Sequence, residues 1–316
     1  MKKENIYLST IASDAAPLAR EYGCGLEIAE FCTAWNMDEK FSSVDGVVKK
    51  KLDGISKSTL HAPYNELFPC AIDKKARALA AERYRHAAVL AKRYGSTQLV
   101  IHGGYNPWIY YPVWYVEQSV LFWKEFLKED PGVEIVLENV LETEPQWLLD
   151  IVKGVDDPGL KLCLDVGHVN AYSKIPVTDW LESWAPYLSH FHIHNNDTSR
   201  DQHNPLNEGT IDMKELLEHI DRLCPDATIT LELMKARTPN IEKCDILLDG
   251  EAYVSGTPIV AVGYHTIEML GENDYVLSYS FTITQDSTIV LVNTPSATPY
   301  WYVEYDANGG SGSIAL

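Results

Sequence analysis

Short apolar runs alternate with helix-like stretches over roughly the first 250 residues of this 316-residue chain. Eight of the runs have the length and the apolar content of buried strands. They begin near residues 5, 25, 58, 98, 133, 160, 188 and 227. Stretches with helical periodicity lie near 14–22, 36–52, 71–94, 114–129, 144–154, 177–184, 212–223 and 240–248. For the last of these, Asn240 is the expected N-cap and Gly250 follows its end.

Eight strands alternating with eight helices predict an α/β fold, a (β/α)8 TIM barrel over residues 1–250. An open doubly wound sheet is the alternative, because strand closure leaves no mark on a sequence. From residue 251 onward the chain has no Lys or Arg, and strand-like runs occupy 264–270, 275–284, 288–292 and 300–305. Residues 251–316 are therefore predicted to be a small, all-β, sandwich-like appendage.

The net charge of −19 argues against a partner that presents many phosphates, such as nucleic acid or an anionic membrane. No apolar run reaches the roughly 20 residues that a membrane-spanning helix needs. The six cysteines form no C-x-x-C pair, and the start has no apolar signal region. We therefore expect a cytoplasmic protein with reduced thiols.

Metal-capable side chains fall at or just beyond the carboxyl ends of six predicted strands. The strands of a barrel end on one face, so these side chains are expected to converge there. A mixed imidazole and carboxylate set suits zinc, manganese or iron(II) better than calcium, and burying it without a cation would be costly. The set contains five of the ten histidines and four carboxylates: His61, His102, Glu138, Asp165, His168, His194, Asp201, His203 and Glu232.

These residues stand in motifs that follow one another in order: His61-Ala-Pro-Tyr, Leu164-Asp-x-x-His, His194-x-Asn-Asp and Asp201-x-His-x-Pro-Leu. Over about residues 3–249 the chain resembles the xylose isomerase-like barrels. That superfamily includes sugar-phosphate isomerases and epimerases and the endonuclease IV type of apurinic/apyrimidinic endonuclease. The resemblance implies one divalent-metal site with the ligands Glu138, Asp165, His194 and Glu232.

The remaining five residues bear on the choice between the two branches. The resemblance implies that the nuclease branch uses them as additional ligands, so that one to three Zn²⁺ or Mn²⁺ ions are possible: His61, His102, His168, Asp201 and His203. The acidic composition favours the sugar branch. So does Arg200, because it follows His194 by six residues, the spacing of a substrate-binding arginine in ketose epimerases.

In the sugar branch, Glu138 and Glu232 are the expected metal-binding acid and base that move a proton through an enediolate. His168 is expected to assist them and, with Arg200, to orient the sugar. The other expected substrate contacts are His61, Glu27 on the second strand, and Trp108 in an aromatic cluster that alternatively forms a packed lid.

His192 shares a strand face with His194 and is interpreted as a core histidine. The alternative is that it contacts and orients the metal ligands.

Three hypotheses follow for the function. The first is a metal-dependent isomerase or epimerase acting on a small sugar or sugar phosphate. The alternative is a multinuclear zinc phosphodiesterase of the endonuclease IV type, and the third is a non-enzymatic carbohydrate-binding protein.

Overall fold

The computed structural model describes residues 2–234, 245–254, 258–259, 263–270, 276–283, 288–293, 301–307 and 310–315. The chain divides into two compact units, Met1–Ala236 and Arg237–Leu316. The boundary expected from the sequence lies later, at residue 250. Within the described part of the chain, no helix combines the length and the apolar content needed to cross a lipid bilayer.

Eight short strands in the first unit were all expected from the sequence. They are β1 (Ile6–Ser9), β2 (Gly25–Ile28), β3 (Ser58–His61), β4 (Ser96–His102), β5 (Glu134–Glu138), β6 (Leu160–Asp165), β7 (Leu188–Ile193) and β8 (Thr228–Leu231). Each pairs in parallel with the next, and β1 closes the ring on β8, with Tyr7 opposite Thr230. This closure confirms the barrel and excludes the open sheet.

The helices of this unit follow the strands and surround the barrel. They are α1 (Ala15–Tyr22), α2 (Ala34–Met37), α3 (Phe41–Leu52), α4 (Lys74–Arg93), α5 (Pro112–Phe126), α6 (Pro145–Val155), α7 (Val166–Tyr172), α8 (Val177–Trp184) and α9 (Met213–Leu223), with short 3-10 turns at Lys3–Asn5 and Ala185–Tyr187. Local chemistry sets several starts. Asp73 and Asp212 cap α4 and α9 through their side chains. Pro112 and Pro145 begin α5 and α6, where the missing N–H costs nothing.

Large aromatic side chains fill the layer between the barrel and its helices. Trp123, Trp180 and Trp184 are completely buried, and Trp184 donates its indole N–H to the carbonyl of Pro145 at 2.9 Å. This apolar layer holds the strands in fixed positions. The carboxyl ends of the strands are therefore free to carry polar residues on a rigid frame.

The helix predicted at 240–248 is wrong over the part that the structure describes, because Asp245–Leu248 is a strand, β9. Residues 240–244 lie outside the described residues. Leu248 pairs with Glu251 in the short strand β10 (Glu251–Ala252), and Asp249 and Gly250 between them have φ of 52° and 84°. Two left-handed residues in an Asp-Gly pair are typical of a hairpin turn. Gly250 therefore turns a hairpin and does not end a helix.

The described residues of the second unit form two four-stranded antiparallel sheets. The first has the order β10, β9, β12 (Gly263–Leu270) and β13 (Val276–Ile283), and the second has the order β11 (Pro258–Ile259), β14 (Thr288–Asn293), β15 (Trp301–Ala307) and β16 (Gly310–Ala315). Strands β12 to β15 were expected from the sequence, whereas β9, β10, β11 and β16 were not. The prediction of β structure after residue 250 is confirmed for the described residues.

Candidate metal centre

The carboxyl ends of the barrel strands bring together all nine predicted ligands. Glu138 and Asp165 are the last residues of β5 and β6. Asp165 also caps α7, because its carboxylate accepts a hydrogen bond from the His168 amide at 2.7 Å. Six of the nine are buried: His61, Glu138, Asp165, His168, His194 and Glu232. The short strands and the helix start thus direct charged groups into one enclosed space.

The deepest group consists of Glu138, Asp165, His192 and Glu232, whose donor atoms all lie within 4.8 Å of one another. The His192 Nδ1 atom is 3.1 Å from Glu232 Oε2, 3.3 Å from Glu138 Oε1 and 3.8 Å from Asp165 Oδ2. From the sequence, His194 was the expected ligand here and His192 a core histidine. In the structure His192 lies opposite Asp165 in the sheet register and faces three carboxylates, whereas His194 Nε2 lies 3.1 Å from Asp165 Oδ1 and 3.6 Å from Asp201 Oδ1. Both histidines thus contact Asp165, and the ligand role of His194 stays a prediction.

A second group lies beside the first and shares Glu138 with it. His61 Nε2 is 3.2 Å and His102 Nε2 is 3.4 Å from Glu138 Oε2, so the two oxygens of one carboxylate face two groups. Burial alone would raise the pKa of Glu138, but the imidazoles of His192 and His102 outweigh it and hold that pKa well below its usual range. Burial lowers the pKa of His102 to about 4, so its ring is neutral near pH 7, as a metal ligand must be.

The third group consists of His194, Asp201 and His203. The rings of His194 and His203 stack with their centroids 4.1 Å apart, and His203 Nε2 lies 2.9 Å from Asp201 Oδ2. Burial alone would lower the pKa of His203, but the hydrogen bond to Asp201 and the carboxylate of Glu232 raise the pKa to about 9. His168 extends the group, with Nε2 at 3.3 Å from the same Asp201 oxygen.

Asn139, which was not among the residues predicted from the sequence, forms hydrogen bonds that hold Asp165 and His168 in place. Its side-chain amide exchanges two hydrogen bonds with the backbone of Asp165, both at 3.0 Å. The backbone carbonyl oxygen of Asn139 lies 2.9 Å from His168 Nδ1. The only signal in the sequence was its place directly after Glu138 at a strand end. Asn139 therefore fixes both the strand end and the ring orientation of His168.

Several enclosed polar atoms of the centre make no hydrogen bond with any described residue: His192 Nδ1 and Nε2, His194 Nδ1 and Asp201 Oδ1. Leaving such atoms without a partner costs on the order of 1–3 kcal/mol each. A cation would engage the ring nitrogens and neutralise the carboxylates around them. The donors are imidazole nitrogens and carboxylate oxygens, so the residues fit Zn²⁺ or Mn²⁺.

Members of all three groups line a cavity of about 410 Å³ that opens at the barrel mouth, whereas Asp165, His192 and His194 lie outside its lining. Its described lining contains no Lys or Arg: Ile11, Ala29, Cys32, His61, Tyr64, His102, Glu138, Val140, His168, Tyr172, Asp201, His203, Glu232 and Met234. Tyr64 was missed as a site residue, although it ends the His-Ala-Pro-Tyr motif, and its ring stacks on His102 at 4.5 Å. The centre of the site is thus acidic, and its walls are aromatic and apolar.

The predicted substrate contacts fall in different places. His61 lines the cavity, whereas Arg200 and Trp108 are exposed and lie outside its lining. Trp108 is 83% exposed in the loop after β4. Glu27 is completely buried beneath the cavity. Of the four, the structure brings only His61 into the space that a substrate would occupy.

Comparisons with known proteins agree with this architecture. A family model described as a xylose isomerase-like TIM barrel matches residues 19–247. The uncharacterized protein MJ1311 of Methanocaldococcus jannaschii is 32% identical over 184 residues, which are 55% of this chain and 63% of that protein's length.

Two solved structures have the same fold. A D-tagatose 3-epimerase-like protein superposes with a TM-score of 0.60 at 24% identity, over 74% of this chain and 92% of its own. The TTHB071 protein of Thermus thermophilus, soaked with zinc chloride, also gives 0.60, at 23% identity over 73% and 92%. Since the family model matches more than two thirds of a chain that closes into this barrel, the protein belongs to the family of xylose isomerase-like TIM barrels.

Proposed function

We propose that this protein is a divalent-metal-dependent isomerase or epimerase that acts on a small sugar or sugar phosphate. The observation that carries the proposal is the pair Glu138 and Glu232, which come from β5 and from just beyond β8. Both carboxylates line the cavity, and both lie within 3.3 Å of the same nitrogen, Nδ1 of His192. Two facing carboxylates around one ligand nitrogen suit a centre that holds an ion and moves a proton.

The residues that would hold the ion are Glu138, Asp165, His192 and Glu232. When bound, a divalent cation supplies an electrophile for the carbonyl and hydroxyl oxygens of a sugar. One glutamate, as the carboxylate, takes the proton from the carbon next to the carbonyl and becomes protonated, and the other, which already carries a proton, donates it to the opposite face of the enediolate and becomes a carboxylate. The chain's own residues thus provide both the base and the acid.

Other cavity residues would position the sugar. His168 keeps Nδ1 on the Asn139 carbonyl and turns Nε2 toward Asp201 at the cavity wall, where it can orient a hydroxyl group. Tyr64 offers an aromatic wall beside His102. A volume of about 410 Å³ lies within the range of roughly 300–1,000 Å³ of small-molecule sites. The similarity to a D-tagatose 3-epimerase-like protein supports a sugar substrate, and the role of Arg200 stays a prediction.

Proton exchange tests this proposal directly. The Mn²⁺- or Zn²⁺-loaded protein is incubated in D2O with a panel of ketohexoses and their phosphates that includes D-tagatose, and deuterium incorporation is followed by NMR. Glu138→Gln and Glu232→Gln should each lower exchange by at least about 100-fold, because an acid or base contributes that much.

The matched control is Glu142→Gln, which changes another buried glutamate of the same strand-end region. Glu142 is hydrogen-bonded to the Tyr115 hydroxyl at 2.6 Å and does not line the cavity. Its variant should exchange like the wild type. Full exchange in both test variants, or none in the loaded wild type with any sugar of the panel, would overturn the proposal.

A second candidate function is a multinuclear zinc phosphodiesterase of the endonuclease IV type. The observation that favours it is that the three groups adjoin, with Glu138 shared by the first two. The net charge of −19 and the lack of Lys or Arg in the described cavity lining argue against a nucleic-acid substrate.

Metal counting separates the two functions. In the double variant Asp201→Ala/His203→Ala, the isomerase should keep the one ion that its deepest group holds. A phosphodiesterase should lose one of its ions together with its cleavage of duplex DNA carrying an abasic site. Cleavage of that duplex by the wild type at moderate salt would decide for the second candidate.

A further inference from the structure

Glu27 lies beneath the metal centre, completely buried in the barrel interior on β2. Its Oε2 accepts hydrogen bonds from the hydroxyls of Thr59 at 3.1 Å and Thr230 at 2.9 Å, and lies 3.1 Å from His190 Nε2. Its Oε1 lies 3.0 Å from His192 Nε2. One oxygen is therefore held from β3, β7 and β8, while the other faces His192, a ligand of the proposed metal site.

The atoms on both sides of this contact are unsatisfied. Neither Glu27 Oε1 nor either nitrogen of His192 makes a hydrogen bond of good geometry with any described residue. The His192 Nδ1 atom faces the carboxylates of Glu138 and Glu232, while Nε2 faces Glu27. A cation at Nδ1 would require the ring proton to be on Nε2. Glu27 Oε1, 3.0 Å from Nε2, could accept that proton in a hydrogen bond.

We propose that Glu27 is a positioning residue that accepts the Nε2 proton of His192 in a hydrogen bond and thereby directs the Nδ1 lone pair toward the metal. This inference rests on the proposed metal site and adds a residue to it. A carboxylate behind a ligating imidazole fixes the tautomer and makes the ring a stronger ligand. It also replaces the substrate contact expected from the sequence, because Glu27 does not line the cavity.

The surroundings of Glu27 suit this role. The two threonine hydroxyls immobilise the carboxylate. The ring of His190 is itself fixed, with Nδ1 at 2.6 Å from the Thr228 hydroxyl. A carboxylate held from three strands loses little conformational entropy when it binds a ring proton. The Glu27 carboxylate is therefore held in one position, with Oε1 at 3.0 Å from His192 Nε2.

The test compares Glu27→Gln with Glu142→Gln. Both change a completely enclosed glutamate to its amide, but Glu142 hydrogen-bonds to the Tyr115 hydroxyl and the Val140 amide and, among the described residues, to no imidazole. Zn²⁺ affinity is measured by chelator competition, and the visible spectrum of bound Co²⁺ reports the ligand geometry. Far-UV circular dichroism and thermal melting verify that each variant is folded.

Glu27→Gln should bind Zn²⁺ about 10–100-fold more weakly and show an altered Co²⁺ spectrum, since loss of such a partner has effects of this size. Glu142→Gln should match the wild type in both. Wild-type affinity and an unchanged spectrum in a folded Glu27→Gln variant would overturn the inference. So would a thiolate-to-Co²⁺ band in the wild type, because it would put the ion on Cys163, which adjoins His190 and His192.

A second measurement needs no variant and decides the matter if Glu27→Gln does not fold. In the Zn²⁺-loaded wild type, the ¹⁵N shifts of the His192 ring should show a proton on Nε2 and metal on Nδ1. The opposite tautomer would overturn the inference. Because these experiments measure binding, wild-type binding without sugar turnover would count against the proposed function while leaving the role of Glu27 standing.

Discussion

Replacing Gly167 by alanine should destabilise the protein, although alanine is the better helix former. Gly167 lies in the first turn of α7, and a Cβ there would be 1.9 Å from Cε1 and 2.4 Å from Nδ1 of His194. The ring would have to retreat by about 1.5 Å to reach an ordinary contact of 3.4 Å. It has little room, because it stacks on His203 with a centroid distance of 4.1 Å.

The size of the effect follows from two opposing contributions. Overpacking a rigid interior costs up to about 3 kcal/mol, and replacing a helical glycine by alanine returns about 1 kcal/mol. We therefore expect Gly167→Ala to lower the free energy of unfolding by about 2 kcal/mol. The measurement is urea denaturation of the metal-free protein, followed by tryptophan fluorescence.

Gly46→Ala in α3 is the matched control. Gly46 is also helical, but no heavy atom of the described residues beyond its own helix lies within 4 Å of the Cβ position. Only the gain in helix propensity remains, so this variant should be more stable than the wild type by about 1 kcal/mol. A Gly167→Ala protein as stable as the wild type would refute the placement of the His194 ring.

Two further predictions concern pH and the second unit. The pKa of His203 is raised to about 9 from 6.5, so its stabilisation is complete below about pH 6.5 and is lost as pH rises through 9. The melting temperature of the metal-free protein should fall more over this window in the wild type than in His203→Gln; equal falls would contradict the pairing with Asp201. Truncation after Ala236 should leave a folded barrel that still binds Zn²⁺, because every proposed ligand lies before residue 233. An insoluble or metal-free product would show that the barrel needs residues 237–316.

The order of strands and helices in the first unit was predictable because it depends on local patterns. Apolar runs such as that of β5 and periodic stretches such as α4 are set by neighbouring residues, and so are the capping positions Asp73 and Asp212. The convergence of the predicted ligands also followed from the sequence, since each stands at a strand end or in the segment after it, and parallel strands end on one face.

The hairpin at residues 248–251 was not predictable in the same way. The segment before Gly250 has an apolar content that suits either a short helix or a strand. Pairing with β12, which lies about twenty residues further along the chain, accompanies the strand conformation. Local sequence patterns cannot predict pairing with a strand that far along the chain.

Depth in the barrel was likewise decided by the tertiary structure. His192 lies on β7 and His194 directly follows its last residue, so their spacing of two predicts that they point the same way. It does not establish which one reaches Glu138 and Glu232, or that Glu27 lies behind His192. Those contacts depend on the register of β7 against β6 and β8 and on the closure of the ring. Residue spacing determines the direction of a side chain along a strand, whereas its neighbours across the barrel are determined only when all eight strands are in place.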